Sequence, residues 1–208
     1  WRTAMEPGPA HSPYHAGYPA GRITDDTEQA LALTAALEDG FGKEDVARRL
    51  NDWFLSVGGA ESLAVGPSTK RALLAYAEGA DIDEIGRFGV TNGAAMRIAP
   101  IGVHAALADL DLAGLVAAVE RASMPTHNTA PAIAGAAALA AAIAEAVRGA
   151  PLPLVIEAAR RGGTAGAKAG NWIYAADMTA RIDLALEIAA RPLGKAEFAD
   201  VLSRVVGA

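Results

Sequence analysis

The segment from Pro131 to Arg148 constrains the fold more than any other, because PAIAGAAALAAAIAEAVR is built almost wholly from alanine, glycine and aliphatic residues. Alanine has the highest helix propensity, and a helix clad in methyl groups lets its neighbours approach backbone to backbone. Such a helix belongs at the buried centre of a helical assembly. The whole chain shares the bias: 52% of the residues are apolar but only 5% are aromatic. The excess is mostly Ala and Leu, which favours packed helices over sheets of β-branched and aromatic residues. We therefore expect an all-α fold, a compact multi-helix single domain over residues 1–208 with an irregular loop at 1–21.

Periodicity places the other helices. Asp25 to Leu37 carries Ala30, Leu33 and Leu37 at helical spacing, with Leu31 alongside, acidic residues in the first turn and Gly40 beyond the end. A second helix runs from about Lys43 to Val57, with Val46, Leu50, Trp53, Phe54 and Val57 on one face. A third follows Pro67, with Ser68 as its expected N-cap. Between Gly79 and Gly93 the pattern dissolves, which suggests a functional loop. Helices resume near Ala94, from Leu112 to Ser123, and from Pro151 to about Arg161. Gly162, Gly163, Gly166 and Gly170 then break the chain before helices at Ala176–Ala190 and after Gly194. Short connections point to an antiparallel assembly larger than a four-helix bundle.

Composition also excludes function classes. The net charge of −6 comes without a basic run, so the electrostatic footprint of a nucleic-acid or anionic-membrane binder is missing. With no cysteine, there is no disulfide framework, thiolate metal site or thiol nucleophile, and any metal must use oxygen or imidazole ligands. A cytoplasmic setting fits that usage. Residues 1–21 do not form a secretory signal, and the uncharged stretch Thr129–Ala144 falls short of the roughly 18 residues that span a bilayer.

The densest chemical signal is Gly21-Arg22-Ile23-Thr24-Asp25-Asp26-Thr27 at a helix start. One reading is capping: Thr24 caps, and Asp25 and Asp26 offset the positive end of the helix dipole. The other is metal binding: a hydroxyl and two carboxylates are the ligands a hard cation such as Mg²⁺ prefers, and a cation relieves the repulsion between adjacent acids. Asn92-Gly93 is ordinarily a turn, yet Gly lets a backbone approach a phosphate and Asn offers donor and acceptor to ribose or phosphate oxygens. Arg97 reads equally as a structural salt-bridge partner or a phosphate ligand. His127, expected beside a helix start, reads as a structural histidine or a ligand contact. His11 and His15 make a poor metal pair outside a helix, and His104 lies in an apolar stretch where packing is expected. Trp172 and Tyr174 would stack on a base or, more ordinarily, join the core.

The run from Gly21 to Thr27 before an amphipathic helix resembles the first metal-binding motif of the ADP-ribosylglycohydrolase family. Thr91-Asn92-Gly93-Ala94-Ala95-Met96-Arg97 resembles that family's Asn-Gly-x-x-Met-Arg loop, and Met124-Pro125-Thr126-His127-Asn128 resembles its Thr-His segment. The resemblance implies Thr24, Asp25 and Asp26 as metal ligands, with Asp25 or Asp26 as the catalytic carboxylate. It implies Asn92, Gly93, Arg97, Thr126, His127 and Asn128 as substrate-binding residues. It implies two Mg²⁺ ions on the ribose hydroxyls and hydrolysis of a ribosyl glycosidic bond in an ADP-ribose-type small molecule or ADP-ribosylated macromolecule. Family members usually open with Gly-Asp-Ala-Leu-Gly and close with Asp-x-Asp-Thr, and neither occurs in these 208 residues. Asp177-Met178-Thr179 and Asp183 do not match the closing motif. The expectation is part of a longer family domain, with an ADP-ribose binder lacking a working metal site as the alternative. The branch acting on arginine linkages tends to carry an acid three places before the loop Asn, where this chain has Gly89.

Overall fold

The computed structural model describes residues 6–12 and 16–207. His15 lies outside the described residues, and His11 is exposed in a turn. The described chain up to Thr24 is irregular, and the helices follow: α1 (Asp25–Glu38), α2 (Lys43–Ser56), α3 (Pro67–Ala77), α4 (Ile82–Ile85), α5 (Ala99–Leu107), α6 (Leu112–His127), α7 (Ala130–Val147), α8 (Leu152–Gly166), α9 (Met178–Ala189) and α10 (Lys195–Val201). A π-helical turn, Leu202–Gly207, follows α10. Among the described residues the β-type pairing is one parallel bridge between Thr129 and Asn171. The protein is all-α, as its alanine content requires.

The alanine-rich α7 is central, with α5, α6, α8 and α9 packed on it. Ile133, Ala136, Ala137 and Ala140 are fully buried on it. The helix is 18 residues long, longer than its uncharged stretch implied, and it meets the length and apolarity of a membrane span; 56% of it is buried inside the fold. Its closest partner is α8, which corrects one expectation: the chain does not break at Gly162, Gly163 and Gly166 but stays helical through all three. A Cβ at Gly162 would stand 2.3 Å from the Ala137 carbonyl oxygen, and one at Gly166 would stand 2.7 Å from Ala137 Cβ. Glycine weakens a helix by about 1 kcal/mol relative to alanine, and here it permits an approach that no other residue allows. Gly102 on α5 does the same, 2.8 Å from the Ala140 carbonyl.

Three further differences have local causes. The buried stripe of α1 is Gln29, Leu33 and Ala36, while Leu31 is 59% exposed. In α3, Gly66 takes the cap position, Pro67 opens the helix and Ser68 is buried in the first turn. In α6 the helix continues through Pro125 to His127, so His127 ends one helix instead of preceding the next. The segment between Gly79 and Gly93, expected as a loop, contains the one-turn α4, whose start is capped by Asp81 accepting from the Asp83 amide at 3.0 Å.

Candidate functional site

The carboxylate pair stands at the first turn of α1. Thr24 has the extended backbone of an N-cap but makes no side-chain capping bond; its hydroxyl instead donates to Asp26 Oδ2 at 3.2 Å. Partial burial and the neighbouring Asp26 carboxylate push the Asp25 pKa above its usual value. One turn on, Glu28 accepts from Trp53 Nε1 at 2.9 Å and from Arg22 at 3.3 Å. Thr24, Asp25, Glu28, Trp53 and Ser62 line a cavity of about 60 Å³, room for about two waters. Among the described residues no group of three or more His, Asp or Glu is arranged to hold a metal ion. The donors at the start of α1 are a hydroxyl and two carboxylates, the oxygen types that Mg²⁺ prefers, and they would supply only part of an octahedral shell.

The Asn-Gly loop is clamped onto the chain between Met124 and Thr129. The Gly86 carbonyl accepts from the Asn128 amide at 2.8 Å, and the Thr129 hydroxyl donates to the Gly89 carbonyl at 2.6 Å. Three glycines make the clamp possible: a Cβ would stand 2.0 Å from the Met124 carbonyl oxygen at Gly86, 2.1 Å from that of Thr126 at Gly89, and 2.4 Å from His127 Cε1 at Gly93. Gly93 thus gives its close approach to an imidazole ring. Asn92 is exposed, and its carbonyl accepts from the Met96 amide at 2.9 Å.

Beneath the loop runs a buried hydrogen-bonded chain. Arg97, fully buried, donates to Gln29 Oε1 at 2.8 Å, to the Ala122 carbonyl at 3.0 Å and to Thr126 Oγ1 at 2.6 Å. Thr126 Oγ1 pairs with His127 Nδ1, and His127 Nε2 with Thr91 Oγ1, each at 2.8 Å. The chain therefore joins the buried face of α1, one turn below Asp25 and Asp26, to the exposed Thr91-Asn92 edge. Burial, reinforced by the charges of Arg97 and Arg71, pushes the His127 imidazole down to about 3, so it is neutral at pH 7. Burial pushes Arg97 down to about 9, still charged at pH 7. Gln29 Nε2 and Arg97 Nε are buried without a hydrogen-bond partner.

Of the six residues expected at the substrate, the structure gathers all of them around this loop but exposes only Asn92. Arg97, Thr126 and His127 have no exposed surface and face the interior. In this geometry their polar atoms reach the surface only through Thr91 and the loop backbone. Asn128 is 8% exposed, with its Nδ2 3.4 Å from the Asp83 carbonyl and its Oδ1 unpartnered. None of residues 91–93 or 126–128 lines the cavity beside Thr24 and Asp25. Trp172 and Tyr174 are not core residues: they are 80% and 94% exposed, just after Asn171, whose amide donates to the Asn128 carbonyl at 3.0 Å. Asp177 caps α9 and Asp183 binds Arg160 at 2.6 Å, so both acids have structural roles.

The profile of the ADP-ribosylglycohydrolase family matches residues 2–207. The chain belongs to that family. It is 32% identical over 211 residues to the uncharacterized protein YegU of Escherichia coli K12, an alignment covering 100% of this chain and 63% of the relative. It is also 38% identical over 127 residues to an uncharacterized protein of Archaeoglobus fulgidus, covering 60% of this chain and 40% of that protein. The chain thus spans just under two thirds of the length of the Escherichia coli relative.

Within this family member, sequence reasoning missed Gln29, Glu28 and the linking role of Thr91. Gln29 did leave a signal, being a polar residue in register with Leu33 and Ala36 on the buried stripe. Thr91 left none, because its partner His127 is 36 residues away.

Proposed function

We propose that this chain carries part of an Mg²⁺-dependent site that hydrolyses a ribosyl glycosidic bond in ADP-ribose-type or ADP-ribosylated substrates in the cytoplasm. The observation that carries the proposal is the link from α1, where Thr24, Asp25 and Asp26 stand, through Gln29, Arg97, Thr126 and His127 to Thr91. Thr24, Asp25 and Asp26 would hold the metal, two ions in the complete family site. When bound there, Mg²⁺ supplies a Lewis acid for oxygens next to the scissile bond. The chain's own residues do the rest. Asp25, whose pKa is raised by partial burial and by the Asp26 carboxylate, is suited to accept a proton from an attacking water once a cation relieves the repulsion. Asn92 offers its amide to ribose or phosphate oxygens, and the clamped loop keeps it in place without reorganisation. Arg97 and His127 are positioning residues beneath it.

A second reading, an ADP-ribose binder without turnover, is favoured by one observation: no three-ligand acidic cluster forms among the described residues. One experiment separates the two. ADP-ribose binding is measured by calorimetry with and without Mg²⁺, and hydrolysis is followed in the same samples, for the natural sequence and for the Asp25→Asn/Asp26→Asn variant. The hydrolase predicts Mg²⁺-dependent binding and turnover, both lost in the variant. Tight binding that ignores Mg²⁺ and the variant, without turnover, supports the binder and defeats the hydrolase.

A further inference from the structure

A cavity of about 490 Å³ opens toward the C-terminal end of α7, between that helix, the α5–α6 connection, α6 and α8. Ala144 on its wall stands about 20 Å along α7 from Thr129, so the cavity is remote from the Asn-Gly loop. Packed proteins leave few voids larger than a water, and this one falls in the size range of small-molecule sites. Its floor is apolar: Leu115, Ala141, Ala144 and Ala158 are almost completely buried. One side of its rim is fixed in place. Asp109 holds a left-handed backbone with φ 50°, and Arg148 donates to the carbonyls on either side of it, Ala105 at 3.2 Å and Leu110 at 3.3 Å. Arg148 also pairs with Glu145 at 3.1 Å, which leaves its guanidinium engaged. Asp111 is engaged too, accepting from the Gly114 amide at 2.8 Å to cap α6. Arg161, on α8, differs from them. Its neighbour Arg160 binds Asp183 at 2.6 Å and Glu157 at 3.6 Å, whereas no carboxylate among the described residues pairs with Arg161.

We propose that this cleft binds a small aliphatic monocarboxylate, with the carboxylate on Arg161 and the hydrocarbon chain against Leu115, Ala141, Ala144 and Ala158. A guanidinium meets a carboxylate through charge-assisted, often bidentate hydrogen bonds, and Arg161 has no internal partner to give up for them. The alanine floor offers methyl groups and no polar atom, so it rewards an apolar chain. Asp109, Asp111 and Glu145 outnumber Arg148 around the rest of the lining. The cleft therefore accepts one negative charge at Arg161 and repels a second, which disfavours dicarboxylates and phosphate esters. The site shares no residue with the carboxylate pair of α1 or with the Asn-Gly loop, and it stands independently of the function proposed above.

The test titrates the whole chain with acetate, butanoate, hexanoate, hexanol and hexanedioate, and follows the Leu115, Ala141, Ala144 and Ala158 methyl resonances. The natural sequence is compared with Arg161→Gln and with Lys168→Gln, which removes the same charge outside the cleft; both side chains are exposed, and circular dichroism verifies folding. Affinity is expected to rise about threefold per added methylene from acetate to hexanoate. Hexanoate should bind about tenfold more tightly than hexanol and more tightly than hexanedioate. Arg161→Gln should erase the preference for hexanoate over hexanol, and Lys168→Gln should preserve it. The site is overturned if hexanoate leaves these methyl groups unmoved, or if it shifts only the exposed apolar face of α1 and α5 around Leu31 and Leu107. Equal hexanoate affinity in the natural sequence and folded Arg161→Gln, or equal weakening by the two variants, also overturns it.

Discussion

The start of α1 and the segment from Thr126 to Thr129 both carry polar residues singled out in the sequence, yet the fold treats them in opposite ways. Asp25 and Asp26 sit at a helix terminus within reach of solvent, held by local geometry and by each other. Thr126, His127 and Thr129 are fully buried, and their polarity is consumed by Arg97, Thr91 and Gly89. The first region leaves its carboxylates within reach of solvent; the second is built to hold a loop. A motif therefore identifies which residues matter to a site, while burial decides whether a side chain touches a ligand or supports one that does.

The contrast can be broken most severely at Arg97. Arg97→Ala leaves Gln29 Oε1, Thr126 Oγ1 and the Ala122 carbonyl without their donor, and a loss of about 3–5 kcal/mol in urea-induced unfolding is expected. The two regions also respond to pH with opposite sign. His127 is depressed from 6.5 to about 3 in the fold, so its contribution is fully present above pH 6.5 and is lost as pH falls toward 3. That loss is on the order of a few kcal/mol. Asp25 is raised above 3.8, so its contribution is present below 3.8 and disappears as pH rises through the folded value. Unfolding curves across this range should show stability rising with pH, and Asp25→Asn should steepen the rise near its acid end. A slope that is flat in both proteins would contradict the buried, neutral imidazole.

Smaller changes sharpen the same comparison. Gly89→Ala forces a methyl group toward the Thr126 carbonyl and should destabilise by about 1–3 kcal/mol, seen as a lower unfolding midpoint. Thr91→Val removes the outer end of the chain at His127 Nε2 and should lose about 1 kcal/mol, with a shift of the His127 ring resonances as the local readout. Asp25→Asn/Asp26→Asn should change stability at neutral pH by less than about 1 kcal/mol. A large destabilisation there would mean that the acidic pair holds the fold together, contrary to the role assigned to it.

Much of this was legible beforehand, for identifiable reasons. Helices α1, α2, α7 and α9 follow from apolar spacing and alanine density, both properties of neighbouring residues. The carboxylate pair was legible because a helix start and its first-turn acids lie within a few positions of each other. Illegible features depend on distant partners. Gly162 and Gly166 read as breakers because glycine is a poor helix former, and only the nearness of Ala137 shows why they continue one. Trp172 read as a core aromatic, but the bridge at Asn171 holds the segment on the surface.

The sequence by itself determined the all-α class and the buried alanine helix, because propensity and periodicity are local, and its motifs pointed to some of the polar residues around the candidate site but not to Gln29 or Glu28. Only the tertiary structure decided which of those residues face solvent. Arg97 and Gln29 are 68 positions apart, and Thr91 and His127 meet only because three glycines let a loop lie directly on another stretch of backbone. Burial and hydrogen-bond partnership arise from packing between elements, and that packing separates the side chains that can meet a ligand from those that hold them in place.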